Sequence, residues 1–431
     1  MKKLTETLEK FLLPLAQKLA NNPYLKSITN GFSACLPVII TGALFTLLAN
    51  FNISVYQTFV TEMHLKEIFA FIPKVTTDML SLYAVFSIAR STTRNIGMED
   101  QSHSVGLLAL LVFLLMIPLG VSGSQGDVTI QVVAALSTTY LGAGGLFTAM
   151  IFGLIIPPMY KFFISRKIVI HMPESVPPQI AKSFEAILPS GCIALLFAAV
   201  RYIFSLTKFG DLNNCIYSLL KAPLSSLGAS PFTMLILIAM CSLMWFFGLH
   251  GGLIVMPFIN MLYLPLAMEN LTAYGAGQPL PNIVVKAAWS GYASLGGAGG
   301  TAGLCVLMFF LAKSQRYKTL GKLALPIGLC GINEPITFGV PMVMNTIMLI
   351  PMMLTPMLTF GLSYALTSMG ILPIMNGTDI PLGTLIILSG ILCGGWKLGL
   401  WQIILVGIQM LCYFPFFKIL DNQALKEESQ S

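Results

Sequence analysis

Leu323-Ala324-Leu325-Pro326-Ile327-Gly328-Leu329-Cys330-Gly331-Ile332-Asn333-Glu334-Pro335-Ile336-Thr337-Phe338-Gly339-Val340-Pro341-Met342 sets a single carboxylate inside a long apolar run. An ionisable group at membrane depth is costly, so it faces a bundle interior or a water-filled cavity. Gly331, Pro335, Gly339 and Pro341 argue against a regular helix here, because proline lacks the N–H and glycine weakens helices. Broken backbone at that depth is tolerated where it packs on protein or lines a cavity. Glu334 is therefore the first candidate functional residue. A carboxylate in an ordinary interhelical loop is the competing reading.

The chain around this stretch is of the same character. Of its 431 residues 56% are hydrophobic and only 10% charged, with a mean hydropathy of +0.82. Soluble domains carry about a quarter charged residues, so the composition predicts an all-α polytopic membrane protein. No polar block is long enough to be a soluble domain. Met1 to Asn22 lacks the compact apolar core of a cleavable signal peptide. Its Leu4, Leu8, Phe11, Leu12 and Leu15 recur at helical spacing among Lys2, Lys3, Lys10 and Lys18. That pattern predicts an amphipathic helix on the cytoplasmic surface. The eight cysteines show no CxxC pair and no metal-ligand spacing, so they read as packing residues, and neither a metal nor a cofactor is expected. The net charge of +7 sits in loops after apolar runs and is no footprint of nucleic-acid binding.

Apolar runs of about 20 residues place spans near 29–50, 69–89, 105–122, 131–160 and 184–206, with several more between 232 and 418. Arg90, Arg94, Lys161, Arg166, Lys167, Lys182, Lys313, Arg316, Lys318 and Lys322 then fall on one side of the membrane, with Lys418 and Lys426 in the tail. This positive-inside pattern predicts that both termini are cytoplasmic. Four parts follow: an amphipathic segment 1–28, a first transmembrane half with its linker at 29–183, a second half at 184–420, and a polar tail 421–431. The linker carries Pro173, Pro177 and Pro178. In the second half Pro257, Pro265, Pro279 and Pro281 and the glycines from Gly291 to Gly303 interrupt the apolar runs. Interrupted helices point to a binding site near the midplane, as in many transporters. Gly296-Gly297-Ala298-Gly299-Gly300-Thr301 is no P-loop, since no Lys-Ser/Thr follows. It would serve either close helix packing or the tip of a re-entrant hairpin.

His250, in Trp245-Phe246-Phe247-Gly248-Leu249-His250-Gly251-Gly252, is the second landmark. A histidine at this depth can exchange protons, hydrogen-bond or bind metal, and no other His or Cys is placed to complete a metal site. A structural role is the alternative. A carboxylate and an imidazole on broken segments suit activation of a sugar hydroxyl, one accepting its proton and the other orienting its oxygen. Trp245, Phe246 and Trp289 could stack on a sugar ring, and Asn333 could hydrogen-bond a hydroxyl.

Phe247-Gly248-Leu249-His250-Gly251, Gly297-Ala298-Gly299-Gly300-Thr301 and Gly331-Ile332-Asn333-Glu334-Pro335 through Pro341 together resemble the phosphotransferase-system (PTS) sugar permeases. The resemblance is narrower still to the enzyme IIC component of the lactose/cellobiose/diacetylchitobiose family, and Gly106 to Leu110 and Asn376 to Gly390 extend it along the chain. It implies a homodimer of about ten transmembrane helices with two re-entrant hairpins. It implies a sugar site in the second half, with Glu334 as general base on the 6-hydroxyl and His250 bonding that hydroxyl or the incoming phosphoryl group. Gly251, Gly300 and Thr301, with Asn333, Trp245 and Trp289, are the expected substrate contacts. The phosphoryl donor would be a phosphocysteine on a separate cytosolic enzyme IIB, charged by enzyme IIA. Many members carry a tryptophan where this chain has Leu382, which leaves the disaccharide open. A proton-coupled secondary sugar transporter, or a membrane protein whose buried polar groups only bridge helices, are the other readings.

Overall fold

The computed structural model describes residues 14, 18, 21–50, 54–125, 128–136, 138–173, 176–216, 218–219, 222–340, 342, 345–381 and 383–430. Most of the expected amphipathic segment 1–28, and Leu382, lie outside the described residues. Seven described helices are long and apolar enough to cross a membrane. The chain divides after Ser225 into two compact units.

The first unit is built around α1 (Pro23–Asn50), α2 (Leu80–Asn95), α3 (Ser102–Leu115) and α4 (Leu146–Ser165). With lipid on one side and protein on the other, hydrophobicity cannot select the interface, so close packing does. Ile88 of α2 is fully buried between glycines of two other helices. A Cβ on Gly31 of α1 would lie 2.4 Å from the Ile88 side chain, and one on Gly153 of α4 2.6 Å from it. Thr46, Thr92 and Thr93 donate their hydroxyls to carbonyls four residues back, which closes these polar groups inside their own helices.

One expectation changes here. The apolar run at 131–160 is not one span: Val128–Leu136 forms β2, paired antiparallel with β1 (Leu119–Gln125). The β-branched Val128, Thr129, Ile130, Val132 and Val133 suit a strand better than a helix. α5 (Ile187–Ser205), just past the expected boundary at residue 184, packs on α3 and α4. The proline-rich stretch before it is thus a bend within the first unit.

The second unit (Ser226–Ser431) alternates long helices with broken backbone. Its helices are α6 (Pro231–Phe246), α7 (Gly251–Gly275), α8 (Ala302–Leu311), α9 (Gln315–Leu329), α10 (Glu334–Gly339), α11 (Thr346–Ser368), α12 (Leu388–Gly394) and α13 (Trp396–Gln430). A first irregular stretch runs from residue 276 to 301, with a π-helical turn at Trp289–Ala293. A second runs from 369 to 387. Asn270 of α7 ties them together. Its Nδ2 donates to the carbonyls of Asn282 (2.7 Å) and Met375 (2.8 Å), and its Oδ1 accepts from the Asn282 N–H.

Candidate functional site

The end of α9 shows how the chain delivers Asn333 and Glu334. Gly331 takes a left-handed φ of 81°; its N–H donates to the Gly328 carbonyl and that of Ile332 to the Ile327 carbonyl. This is a Schellman stop, and glycine is the residue that adopts it without a Cβ penalty. Two residues later α10 begins, with Pro335 in its first turn, where the missing N–H costs nothing. Asn333 takes the N-cap position, yet its side chain makes no cap. Instead Asn333 Nδ2 donates to the Ala298 carbonyl at 2.7 Å. The side chain of Glu334 lies outside what the structure describes.

Ala298 belongs to the glycine-rich loop. Gly296, Gly297, Gly299 and Gly300 all have positive φ. At Gly297 the need for glycine is also steric, since a Cβ there would lie 2.5 Å from the Asn333 side chain. A small recess, with room for about one water molecule, is bounded by Ala298 and Gly299 of this loop, by Trp289, Ala293 and Ser294, by Ile238, Cys241 and Ser242 of α6, and by Pro356 of α11. Trp289, expected to stack on a sugar ring, lines this recess. Gly300 and Thr301 do not line it. Both are buried, and the Thr301 hydroxyl donates to the Gly296 carbonyl, within the loop.

His250 caps α7. Its Nδ1 accepts the Leu253 N–H at 3.2 Å, so the neutral imidazole carries its proton on Nε2 and offers a donor there. The ring is exposed and tilted at 48° to Trp245, centroid to centroid 4.6 Å. The Trp245 indole N–H is buried with no hydrogen-bond partner among the described residues. A Cβ on Gly251 would sit 2.1 Å from the Cys241 carbonyl oxygen, so glycine lets α7 start against α6. Trp245, His250 and Gly251 thus form one cluster, one turn along α6 from Cys241 and Ser242. Asn333, Trp289 and the loop form the other.

Several polar residues that sequence reasoning passed over hold this arrangement. Lys286 Nζ and Asp379 Oδ2 form an ion pair at 2.8 Å, the side chains only 16% and 6% exposed. The pair joins the start of the π-helical turn to the second irregular stretch. That stretch also donates from the N–H groups of Gly383 and Ile386 to the Cys330 and Leu329 carbonyls at the end of α9. Gln402 of α13 accepts from the Ile387 and Gly390 N–H groups and donates to the Gly291 carbonyl. Two glutamines seven residues apart, Gln402 and Gln409, in an otherwise apolar span were the available signal. Among the described residues no cluster of three His, Cys, Asp or Glu could hold a metal.

Comparison with known proteins gives this geometry a context. The family model described as "Phosphotransferase system, EIIC" matches residues 29–356. The lichenan permease IIC component of Bacillus subtilis (strain 168) is 34% identical over 436 residues, covering 100% of this chain and 96% of that one. The PTS cellobiose-specific EIIC component of Geobacillus stearothermophilus is 32% identical, covering 99% and 96%. The crystal structure of the transporter ChbC, the IIC component of an N,N'-diacetylchitobiose-specific phosphotransferase system, superposes with a TM-score of 0.94 at 32% identity, over 98% of this chain and 99% of that one. With the helix stop, the Asn-Glu-Pro turn and the glycine loop inside a match of this extent, the chain belongs to the phosphotransferase-system EIIC family of sugar permeases.

Proposed function

We propose that this permease imports a β-linked disaccharide, of the cellobiose, diacetylchitobiose or lactose type, across the bacterial cytoplasmic membrane and releases it as the 6-phosphate. The sugar 6-hydroxyl attacks a phosphocysteine of a separate enzyme IIB, which enzyme IIA recharges. The O–P bond forms as the S–P bond breaks, the thiolate leaves, and Glu334 takes the hydroxyl proton. His250, donating from Nε2, orients the oxygen. Phosphoryl transfer depends chiefly on such positioning and charge stabilisation. The relatives' printed substrates support the sugar class. The Asn333–Ala298 hydrogen bond carries the residue assignment, because it ties the residue before Glu334 to the wall of the recess. Homodimerisation through the first half, and cytoplasmic termini, belong to the same proposal.

The test is uptake of radiolabelled cellobiose, diacetylchitobiose and lactose into vesicles containing the protein, with and without phosphorylated enzyme IIB. Sugar 6-phosphate formed only with phospho-IIB is the expected product. Free sugar accumulating under a proton gradient without IIB would replace this reading with a symporter. His250→Ala should weaken both sugar affinity and turnover, measured by binding and initial rates, and an unchanged variant would return His250 to helix capping alone.

A further inference from the structure

The glycine-rich loop cannot satisfy its own carbonyls by a helical ladder, because four of its residues have positive φ. Buried carbonyls without such a ladder need other donors. On one side Asn333 supplies the Ala298 carbonyl. On the other, α13 supplies two more. The Tyr413 hydroxyl donates to the Gly299 carbonyl at 2.7 Å, and Gln409 Nε2 donates to that of Leu295 at 3.3 Å. Gln409 Oε1 accepts the Gly303 N–H at 3.0 Å, where the loop turns into α8. Gln409 and Tyr413 are four residues apart, hence on one helix face, and both are fully buried. The loop is held from two sides, by the Asn-Glu-Pro turn and by α13, and its held residues Ala298 and Gly299 line the recess.

We infer that Gln409 and Tyr413 are positioning residues for the phosphoryl-acceptor site: they touch no substrate and act by fixing the loop on which Asn333 leans. This rests on the proposed function. A purely structural hydrogen bond would lower the yield or melting temperature of folded protein and leave turnover per folded molecule intact. A positioning bond lowers turnover itself.

The experiment uses the full-length permease in lipid vesicles with phospho-IIB and the disaccharide that the wild type phosphorylates. Tyr413→Phe keeps the ring and deletes only the hydroxyl, and Gln409→Met is the second variant should one fail to fold. Trp401→Phe is the control, because Trp401 sits on the same helix and donates to the Ser363 hydroxyl at 2.8 Å, away from the loop. For Tyr413→Phe we expect kcat about tenfold lower, the order one lost hydrogen bond to a buried carbonyl implies, with sugar affinity reduced and KM for phospho-IIB unchanged. Trp401→Phe should keep wild-type kcat. Unchanged kcat in both loop variants, or an equal fall in Trp401→Phe, overturns the inference while leaving the proposed function standing. A wild type that forms no sugar phosphate overturns both.

Discussion

In the first unit Thr46, Thr92 and Thr93 bond to carbonyls four residues away, whereas in the second Gln402, Gln409 and Tyr413 reach carbonyls 111 to 114 residues away. The first unit also makes longer reaches, from Ser81 to the Gly142 carbonyl and from Asn213 to the Met116 carbonyl, but these end at helix caps. Apolar surroundings impose the same rule on both, that every backbone group be satisfied. A unit of regular helices meets it mostly within its helices, with longer bonds at a few helix ends. A unit that keeps its backbone broken around a recess needs polar side chains from distant segments, and each becomes a point where sequence change reaches the site.

The sharpest test of this contrast is Glu334→Gln, at the centre of the broken region. Loss of the general base proposed at Glu334 costs about 10²–10⁴ in rate, so on that reading sugar phosphorylation by phospho-IIB should fall by that factor while sugar binding survives. Full phosphorylation would move the base elsewhere and leave the second unit without its distinguishing chemistry. Next comes Asp379→Asn, which strands the Lys286 ammonium between the two irregular stretches. Removing one partner of a fully buried pair costs about 3–5 kcal/mol, and the slight exposure of Lys286 trims this to about 2–4 kcal/mol. Thermal unfolding in detergent should show it, with Lys286→Met in the same chain restoring most of the loss. A stable single variant would mean that the ion pair does not hold the stretches together.

Thr92→Val probes the opposite unit and should cost less than about 1 kcal/mol, because a single helix-internal hydroxyl bond in a membrane is worth little. A loss as large as that of Asp379→Asn would erase the distinction between the units. Smallest is Asp100→Asn on an exposed loop. The hydrogen bond and charge of Lys182 hold the Asp100 carboxyl below its ordinary 3.8. A depressed carboxylate stabilises the fold above its unfolded value and loses that contribution as pH falls through the folded one. The melting curves of variant and wild type should therefore differ slightly near neutrality and merge in acid, and a gap that widens in acid would reverse the sign.

Much of this was legible in the sequence. Hydropathy marks the membrane helices, and Gly331, Asn333, Glu334 and Pro335 mark the broken turn, because a helix stop and a charge set in an apolar run leave local signatures in the sequence. Val128 to Leu136 misled, since an apolar run has the same composition whether it becomes a strand or a span. The prolines before residue 184 signal a bend, but which helices α5 packs against is a tertiary fact. Asn270, Gln409 and Tyr413 escaped notice because their partners lie far along the chain.

Ile88, gripped between Gly31 and Gly153, carries one further implication, for how such a helix core can drift over generations. Neither glycine can acquire even a methyl group by trimming the isoleucine alone, because a Cβ at 31 would lie 2.8 Å from the Ile88 Cα and one at 153 would lie 2.8 Å from the Ile88 Cβ, so the helices themselves would have to move apart. The spacing of three helices is thus written into two glycines, and drift at residue 88 does not free either of them to change.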